Sequence, residues 1–243
     1  MNLKTAFGYA LILLLGAFIN IQSSTKLYAD TNFDKGVSFP YPVPIARGTQ
    51  LLDSKTLAGP KNFFSGYPAQ PNKKKINVVI EIPAGQNAKW EVSEDDGKMH
   101  WEIKKEKPRV VSYLPYPFNY GMIPSTLQST ETGGDGDPID VLILGPALPR
   151  GSIVQATVIG VLRLKDDGER DDKLLAIPEK GPFKNLDSLD NLNSKFPGVL
   201  RIIETWFTNY KGIGKIVSEG YGGKTEAQKL FSEAIQGFRN RAH

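Results

Sequence analysis

The sequence contains no cysteine, and its only histidines are His100 and His243. The absence of cysteine excludes disulfide bonds, thiolate nucleophiles, iron–sulfur clusters and cysteine-ligated zinc. Two histidines leave almost no material for a zinc site built from several imidazoles or for a Ser-His-Asp triad. Carboxylates, lysines and tyrosines are plentiful. This inventory favours hard, oxygen-ligated cations and phosphate as ligands.

The amino-terminal segment differs in composition from the rest of the chain. Lys4 gives a positive start, residues 6–19 form an uncharged apolar run, and a polar stretch follows. The run is short for a membrane span at about 1.5 Å per residue. We therefore predict a secretory signal peptide over residues 1–29, cut after Ala29 or near Ser23, and export to the periplasm or medium. An uncleaved anchor is the less favoured alternative; after cleavage, no stable membrane association is expected.

Composition and charge are those of an ordinary globular protein. The 243 residues are 40% apolar and 23% charged, enough for one well-buried domain and an additional segment. The net charge of +4 falls to about +2 when Lys4 and Lys26 leave with the signal peptide. That excess is too small to predict nucleic-acid binding, which usually requires basic residues concentrated on one face.

The remaining chain divides into an extended lead-in segment, residues 30–75, and a main domain, residues 76–243. The lead-in segment is rich in Pro, Gly and Asn and has little periodicity. Strand patterns dominate the early part of the main domain, over residues 76–82, 89–92, 141–144, 153–164 and 174–177.

Helical spacing appears only near the carboxyl end. One apolar face comprises Val199, Ile202, Ile203, Trp206 and Tyr210, and a second comprises Ala227, Leu230, Phe231, Ala234 and Phe238. Thr225 and Gln228 have the spacing of a capping box that would start the last helix. Short strands followed by helices predict an α+β fold, a small closed OB-like β-barrel with C-terminal helices packed against it.

The strongest local motif is Gly-Asp-Gly-Asp-Pro-Ile-Asp, which places Asp135, Asp137 and Asp140 just before an apolar strand. In an extended chain, residues two apart share a face, so the first two carboxylates can point together. Two carboxylates about 4 Å apart repel by roughly 4 kcal/mol at an effective dielectric of 20. A bound cation removes that repulsion, so the motif suggests a metal site.

The motif has three other interpretations. Asp-Gly-Asp-Pro is also ordinary turn chemistry. An EF-hand loop is ruled out because Ile139, Asp140 and Pro146 occupy positions that need a ligand, a glycine and a bidentate Glu. A phosphatase that forms an aspartyl-phosphate has its Asp-x-Asp after a buried strand, whereas here the apolar strand follows the motif.

Further motifs lie on both sides of the aspartate motif, and together with it they resemble the family I soluble inorganic pyrophosphatases. The resemblance covers residues 78–211, and the aspartate motif is the family signature. The matching segments are Ile80-Glu81-Ile82-Pro83, Lys89-Trp90-Glu91, Tyr116-Pro117-Phe118-Asn119-Tyr120-Gly121, Gly160-Val161-Leu162, Asp171-Asp172-Lys173 and Tyr210-Lys211.

The resemblance implies metal-dependent hydrolysis of pyrophosphate to two orthophosphates, with Mg²⁺, Mn²⁺ or another divalent ion as cofactor. Asp137 would be the general base. Metal ions would be held by Asp135, Asp140, Asp166, Asp171, Glu81 and Glu91. Phosphate oxygens would be bound by Lys89, Arg109, Tyr120, Lys173, Tyr210 and Lys211, with Tyr116 at the edge of the site.

Arg109 departs from the family spacing by one residue, so Lys105 or Lys107 is the alternative at that position. The segment Ser129 to Gly133 resembles an insertion before the signature.

Two other functions remain open at this point. One is a metal-dependent phosphomonoesterase, and the other is an exported binding module on an OB-like barrel. A binding face of that kind carries aromatic and basic groups, whereas this one would present seven carboxylates. Apart from pyrophosphate, the expected partner is a second copy of the chain in a homo-oligomer.

Overall fold

The computed structural model describes residues 43–241, so the predicted signal peptide lies outside the described residues. The strands are β1 (Gln50–Asp53), β2 (Thr56–Ala58), β3 (Ile76–Ile82), β4 (Trp90–Val92), β5 (Met99–Trp101), β6 (Ile103–Lys104), β7 (Lys107–Pro108), β8 (Asn119–Met122), β9 (Asp140–Ile143), β10 (Ile153–Asp166), β11 (Glu169–Arg170), β12 (Lys173–Pro178) and β13 (Ile216–Gly222). The α-helices are α1 (Leu189–Lys195), α2 (Val199–Tyr210) and α3 (Lys224–Arg241). The predicted α+β class is confirmed.

A mixed seven-stranded sheet forms the centre of the fold, in the order β11-β10-β12-β9-β8-β3, with β13 paired to β10. The pair β9–β12 is parallel, and the other pairs are antiparallel. β3 also pairs with β10, from Ile153 opposite Val79 to Ala156 opposite Ile76. The hydrogen bonds therefore run in a circuit through β10, β12, β9, β8 and β3.

Both faces of this sheet are buried, which explains its continuous apolar runs. Leu142 and Leu175 belong to a cluster with residues of α1 and α2, whereas Val141 and Leu174 belong to a cluster with residues of α3. The alternation follows from the two-residue period of a strand. Side chains of the helices thus contribute to both clusters.

The two predicted helical faces are only partly correct. In α2 the buried residues are Ile203, Trp206 and Phe207, while Ile202 is 57% exposed. The prediction was wrong at Ile202 because a helix turns 100° per residue, and the buried stripe is centred one position further along. The predicted face of α3 is confirmed: Ala227, Leu230, Phe231 and Ala234 are buried, and Phe238 packs edge-on against Phe64.

The predicted capping box at the start of the last helix is wrong. α3 begins at Lys224, and the Ala227 amide donates to the Gly223 carbonyl oxygen at 3.1 Å. Thr225 therefore lies inside the first turn, so it is not the capping residue.

The part of the lead-in segment that the structure describes contributes strands. β1 pairs with β2, and β2 pairs with β5, in a small antiparallel sheet that ends with β4. Leu57 and Phe63 of this segment are fully buried. The predicted boundary at residue 76 stays a prediction. Across residues 43–241 there is no helix of the length and apolarity that crossing a bilayer requires.

Asn119 and Gly121 show why the Tyr-Pro-Phe-Asn-Tyr-Gly motif needs these residue types. A Cβ on Gly121 would lie 1.9 Å from the Val79 carbonyl oxygen of the neighbouring strand, so only glycine fits. Asn119 is fully buried. Its oxygen accepts from the Ala84 and Leu148 amides at 3.1 and 2.8 Å, and its amide nitrogen donates to two carbonyl oxygens, those of Ile143 and Pro146.

Replacing Asn119 by Ala should lower the free energy of unfolding by about 2–4 kcal/mol, because it leaves buried donors and acceptors without partners. Urea denaturation measures the change. The matched control is Asn191→Ala, since Asn191 is partly buried and bonds only within its own helix region; we expect a change within about 0.5 kcal/mol there. An Asn119→Ala protein with the wild-type midpoint would contradict this account.

Candidate active site

The parallel pairing of β9 with β12 sets the centre of the site. Asp140 begins β9, Lys173 begins β12, and the two are direct neighbours in register. The Lys173 ammonium, which is buried, lies 2.5 Å from an oxygen of Asp140 and also contacts Asp171. Side chains separated by more than thirty positions in sequence thus meet where β9 and β12 begin.

The signature loop brings the other two aspartates to the same place. Backbone hydrogen bonds tie the loop to Gln128, whose carbonyl oxygen accepts from the Gly136 amide at 2.9 Å and whose amide donates to the Asp137 carbonyl oxygen at 2.8 Å. Gly136 has φ +88°, a conformation that favours glycine. The Asp137 amide donates to Asp135 Oδ1 at 3.0 Å, which orients that carboxylate.

Asp166 lies on the β-hairpin formed by β10 and β11. Asp166 ends β10 and pairs with Glu169 of β11 across the turn Asp167-Gly168, in which both residues have positive φ. Asp166 Oδ2 contacts the Lys211 ammonium. Among the described residues, the buried Oδ1 of Asp166 has no hydrogen-bond partner.

Glu81, Lys89 and Glu91 form the wall contributed by β3 and β4. Glu81 is buried and accepts from the Val92 amide at 2.7 Å. Lys89 is 2.7 Å from Glu91, and its ammonium lies over the Tyr120 ring. The Lys173 ammonium lies near the same ring, so two lysine side chains contact Tyr120.

Aromatic packing positions Tyr116 and Tyr210, and an ion pair positions Arg109. Tyr116 contacts Trp206 at 4.4 Å between ring centroids, and Tyr210 stacks on Trp206 at 4.5 Å. Arg109 Nη1 donates to Glu102 Oε2 at 2.6 Å. The alternatives at this position, Lys105 and Lys107, are exposed residues of the β6–β7 hairpin region, so the geometry favours Arg109.

These elements enclose a cleft of about 260 Å³, called here the active-site cleft. All the predicted site residues line it except Glu81 and Glu91, which line an adjoining cavity of about 600 Å³. Lys89, Asp137 and Asp140 line both cavities, so the predicted residues form one continuous site.

Two residues that line the cleft, Glu169 and Arg170, were not predicted from the sequence. Arg170 Nε donates to Asp172 Oδ2 at 2.7 Å, and the other oxygen of this buried carboxylate accepts from the Leu164 amide. The hairpin register could have predicted that Glu169 lies near the site, because a two-residue Asp-Gly turn places Glu169 opposite Asp166.

Burial and neighbouring charges raise the pKa of several groups in the site. Burial by the cleft walls raises the pKa of Asp137 to about 6, and repulsion from Asp135 and Asp140 acts in the same direction. Burial also raises the pKa of Glu81 well above its ordinary value. For Lys173, burial would lower the pKa, but Asp140 and Asp171 outweigh it and raise the pKa.

The donor set of the cleft fits hard divalent cations. Its candidate ligands are carboxylate oxygens, which suit Mg²⁺, Ca²⁺ and Mn²⁺, and one of them is the unpartnered Asp166 Oδ1. Within residues 43–241 no three candidate side chains converge as a metal cluster; lysine ammonium groups lie against Asp140, Asp171 and Asp166 instead. These carboxylates already gather around positive charge.

Comparison with known proteins identifies the family. The inorganic pyrophosphatase family model matches residues 78–239. The inorganic pyrophosphatase of Xylella fastidiosa is 33% identical over 172 residues, covering 69% of this chain and 91% of the relative. That of Nostoc sp. is 34% identical over 180 residues, covering 72% and 99%.

The fold agrees with this relationship. The crystal structure of type I inorganic pyrophosphatase from Toxoplasma gondii matches with a TM-score of 0.72 and 26% identity, covering 82% of this chain and 97% of that one. Signature, cleft and fold thus agree, and this chain belongs to the family I inorganic pyrophosphatases.

Proposed function

We propose that this chain hydrolyses inorganic pyrophosphate to two orthophosphates by direct attack of water, with Asp137 as the general base. The water oxygen bonds to one phosphorus, its proton passes to the Asp137 carboxylate, and the bridging P–O bond breaks toward the second phosphate. The observation that carries the proposal is the 260 Å³ cleft, which is lined by carboxylates together with lysine, arginine and tyrosine side chains. The chain has no cysteine for a thiolate route.

The carboxylates supply the metal-binding part of this reaction. Members of the family use divalent metal ions, and we propose Mg²⁺, held by Asp135, Asp140, Asp166, Asp171, Glu81 and Glu91. When bound, such ions lower the pKa of the attacking water and clamp substrate oxygens. The unpartnered oxygen of Asp166 supports this assignment.

The cationic and phenolic side chains bind the phosphate oxygens. Lys89, Lys173 and Tyr120 lie beside the carboxylates. Arg109, Tyr210 and Lys211 also line a neighbouring groove that the signature aspartates do not reach, so they form the end of the cleft remote from the general base. We assign the leaving phosphate to this end, where positive charge stabilises the charge that develops on it.

A phosphate-release assay tests the proposed reaction. The mature protein should release orthophosphate from pyrophosphate with Mg²⁺ and release none in excess EDTA. p-Nitrophenyl phosphate is the comparison substrate, because a phosphomonoesterase would cleave it as readily as pyrophosphate. Equal rates on both substrates would refute the pyrophosphatase assignment and favour that alternative.

The β-strand circuit supports a finer description of the fold. We propose that β10, β12, β9, β8 and β3 form a small closed barrel of the OB-like type, with α1, α2 and α3 packed against it. A closed barrel removes unpaired strand edges. The pairing of β3 with both β8 and β10 supports it.

We also propose that the chain is exported and assembles as a homo-oligomer. Export is supported by the basic start and apolar run of residues 1–29, which lie outside the described residues. Oligomerisation is supported by large apolar side chains at the surface, such as Leu114 at 67% exposure and Ile213 at 96%, and light scattering would give the number of subunits.

The export proposal makes a specific prediction about the mature amino terminus. Protein recovered from the producing cells should begin between Ser24 and Asp30, because signal peptidase removes the basic and apolar regions. Intact-mass measurement and amino-terminal sequencing of the exported fraction check this. Cytosolic protein with an intact Met1 would contradict it.

A further inference from the structure

Glu81, one of the proposed metal ligands, lies at a β-bulge. In the pairing of β3 with β8, Ile80 is opposite Gly121 and Ile82 is opposite Tyr120, so Glu81 is the extra residue on its strand. A bulge changes the direction of the side chains around it and leaves backbone groups of the extra residue out of the ladder. The carbonyl oxygen of Glu81 therefore needs a donor from elsewhere in the fold.

The side chain of Arg150 supplies this donor. Its Nε donates to the Glu81 carbonyl oxygen at 2.9 Å, and its guanidinium lies over the Trp90 ring, 4.5 Å from the centroid. Trp90 stands in the sequence between Lys89 and Glu91, and these two residues line the adjoining cavity together with Glu81. One guanidinium thus contacts both strands, β3 and β4, that carry this wall of the site.

Arg150 itself is a buried cation that lines neither the cleft nor the adjoining cavity. Arg150 is only 5% exposed, and among the described residues no carboxylate pairs with it. Burying an arginine without such a partner is costly, and arginines are seldom fully buried unless they are paired. Because its contacts are with the backbone of Glu81 and the ring of Trp90, Arg150 acts on the site through these neighbours.

The lead-in segment fixes the backbone of Arg150. The Arg150 amide donates to the Pro44 carbonyl oxygen at 2.9 Å, and the Arg150 carbonyl oxygen accepts from the Ala46 amide at 2.8 Å. The next residue, Gly151, has φ +80°, and a Cβ there would lie 2.9 Å from the side chain of Thr49. The described part of the lead-in segment therefore packs closely around the point from which the Arg150 side chain reaches β3.

We propose that Arg150 is a positioning residue for the metal site: it holds the bulge of β3 so that the Glu81 carboxylate faces the adjoining cavity, and the lead-in segment keeps it in place. This inference rests on the proposed function, in which Glu81 is one of the Mg²⁺ ligands. Mg²⁺ demands a near-octahedral set of oxygens, so a carboxylate that points in another direction binds it less well. Groups that orient a metal ligand typically contribute about 10–100-fold to metal affinity.

The test is a double-mutant cycle of Arg150→Met and Glu81→Gln, measured by calorimetric titration of the metal-free protein with Mg²⁺. Met is flexible and apolar enough to pack on Trp90, but it donates no hydrogen bond. For the Mg²⁺ site that Glu81→Gln weakens, Arg150→Met should raise Kd about tenfold when Glu81 is present. In the Glu81→Gln background the same change should raise Kd less than about twofold, because two residues that act through one contact are not additive.

Phosphate release gives a second readout. For Arg150→Met, the Mg²⁺ concentration at half-maximal activity should rise about tenfold, whereas kcat at saturating Mg²⁺ should stay within about threefold of wild type, because the occupied site is the same. Arg150→Lys keeps the positive charge but lacks the planar donor that stacks on Trp90, so we expect the same loss as for Met. The melting temperature of the metal-free protein checks that each variant is folded, and if Arg150→Met does not fold, Arg150→Lys completes the same cycle.

The matched control is Arg163→Met. Arg163 also donates to the carbonyl oxygen of a strand residue, Tyr221, at 3.2 Å, but it lines neither the cleft nor the adjoining cavity. Its replacement should leave the Kd for Mg²⁺ within about twofold of wild type, because distant sites act independently.

The remaining outcomes overturn the inference. An Arg150→Met protein with the wild-type Kd would refute the positioning role and leave the proposed function intact. An equal loss in both backgrounds would show that Arg150 does not act through Glu81. Full recovery in Arg150→Lys would show that the positive charge matters and the direction of the hydrogen bond does not. Wild-type protein that neither binds Mg²⁺ nor releases phosphate would refute the proposed function as well.

Discussion

Replacing Asp137 by Asn should lower the rate of pyrophosphate hydrolysis by about 10²–10⁴-fold, the usual loss when a general base is removed. This corresponds to about 3–5 kcal/mol in the activation barrier. Asn has nearly the same shape but cannot accept the proton of the attacking water. The Asp137 carboxylate lines the cleft and makes no hydrogen bond to another described side chain, so its removal leaves the surrounding contacts in place. Phosphate release at saturating Mg²⁺ measures the loss.

Two comparison variants separate catalysis from metal binding and from turn formation. Asp140→Asn removes a proposed metal ligand, so its apparent Mg²⁺ affinity should fall much more than that of Asp137→Asn. Asp190→Asn, on α1 outside the cleft, should behave as wild type. If Asp137 only shaped the turn, Asn would be nearly silent, because Asn is also a good turn residue. An Asp137→Asn enzyme within about threefold of wild type would refute its role as the base.

Removing divalent ions should abolish turnover and also lower the melting temperature. Ions that bind only the folded chain stabilise it by mass action, by about 2.7 kcal/mol at a concentration about 100 times Kd. For a chain of this size, the loss corresponds to roughly 5–10 °C. The structural reason is the gathering of Asp135, Asp140, Asp166 and Asp171 around one cleft, where their mutual repulsion increases once the ions leave. Thermal denaturation with Mg²⁺ and with EDTA measures the shift.

Asp140→Asn is the matched control for this experiment as well, because its melting temperature should depend much less on Mg²⁺. Ca²⁺ should restore the melting temperature without restoring turnover, since its larger and looser coordination shell misplaces the attacking water. Full activity in excess EDTA would refute the metal assignment.

Local features of the chain could be predicted where the cause is local. The strand Ile76–Ile82 was predicted at its observed bounds, because a β-branched run closed by Pro83 encodes both the strand and its end. The signature aspartates were predicted to point together, and the loop does bring Asp135 and Asp137 into one cleft. The relative placement of residues that are close in sequence can be predicted without knowledge of distant chain segments.

Features that depend on packing were missed or misplaced. The exposure of Ile202 and the burial of Phe207 are set by which side of α2 meets the sheet. The periodicity of apolar residues alone leaves the centre of the buried stripe uncertain by one residue. The first residue of α3 depends on where β13 ends, and β13 itself was not predicted. Glu169 and Arg170 were not predicted to line the cleft, because a charged hairpin is usually solvated.

The sequence by itself determined the chemistry available to this protein: no cysteine, almost no imidazole, and an ordered series of carboxylate, lysine and tyrosine motifs that resembles one enzyme family. Only the tertiary structure decided how those groups meet. The parallel register of β9 and β12 places Asp140 beside Lys173, and the packing of Tyr210 on Trp206 places Tyr210 in the wall of the same cleft. The physical reason is that charges act through space, over distances that the order of residues along the chain does not specify.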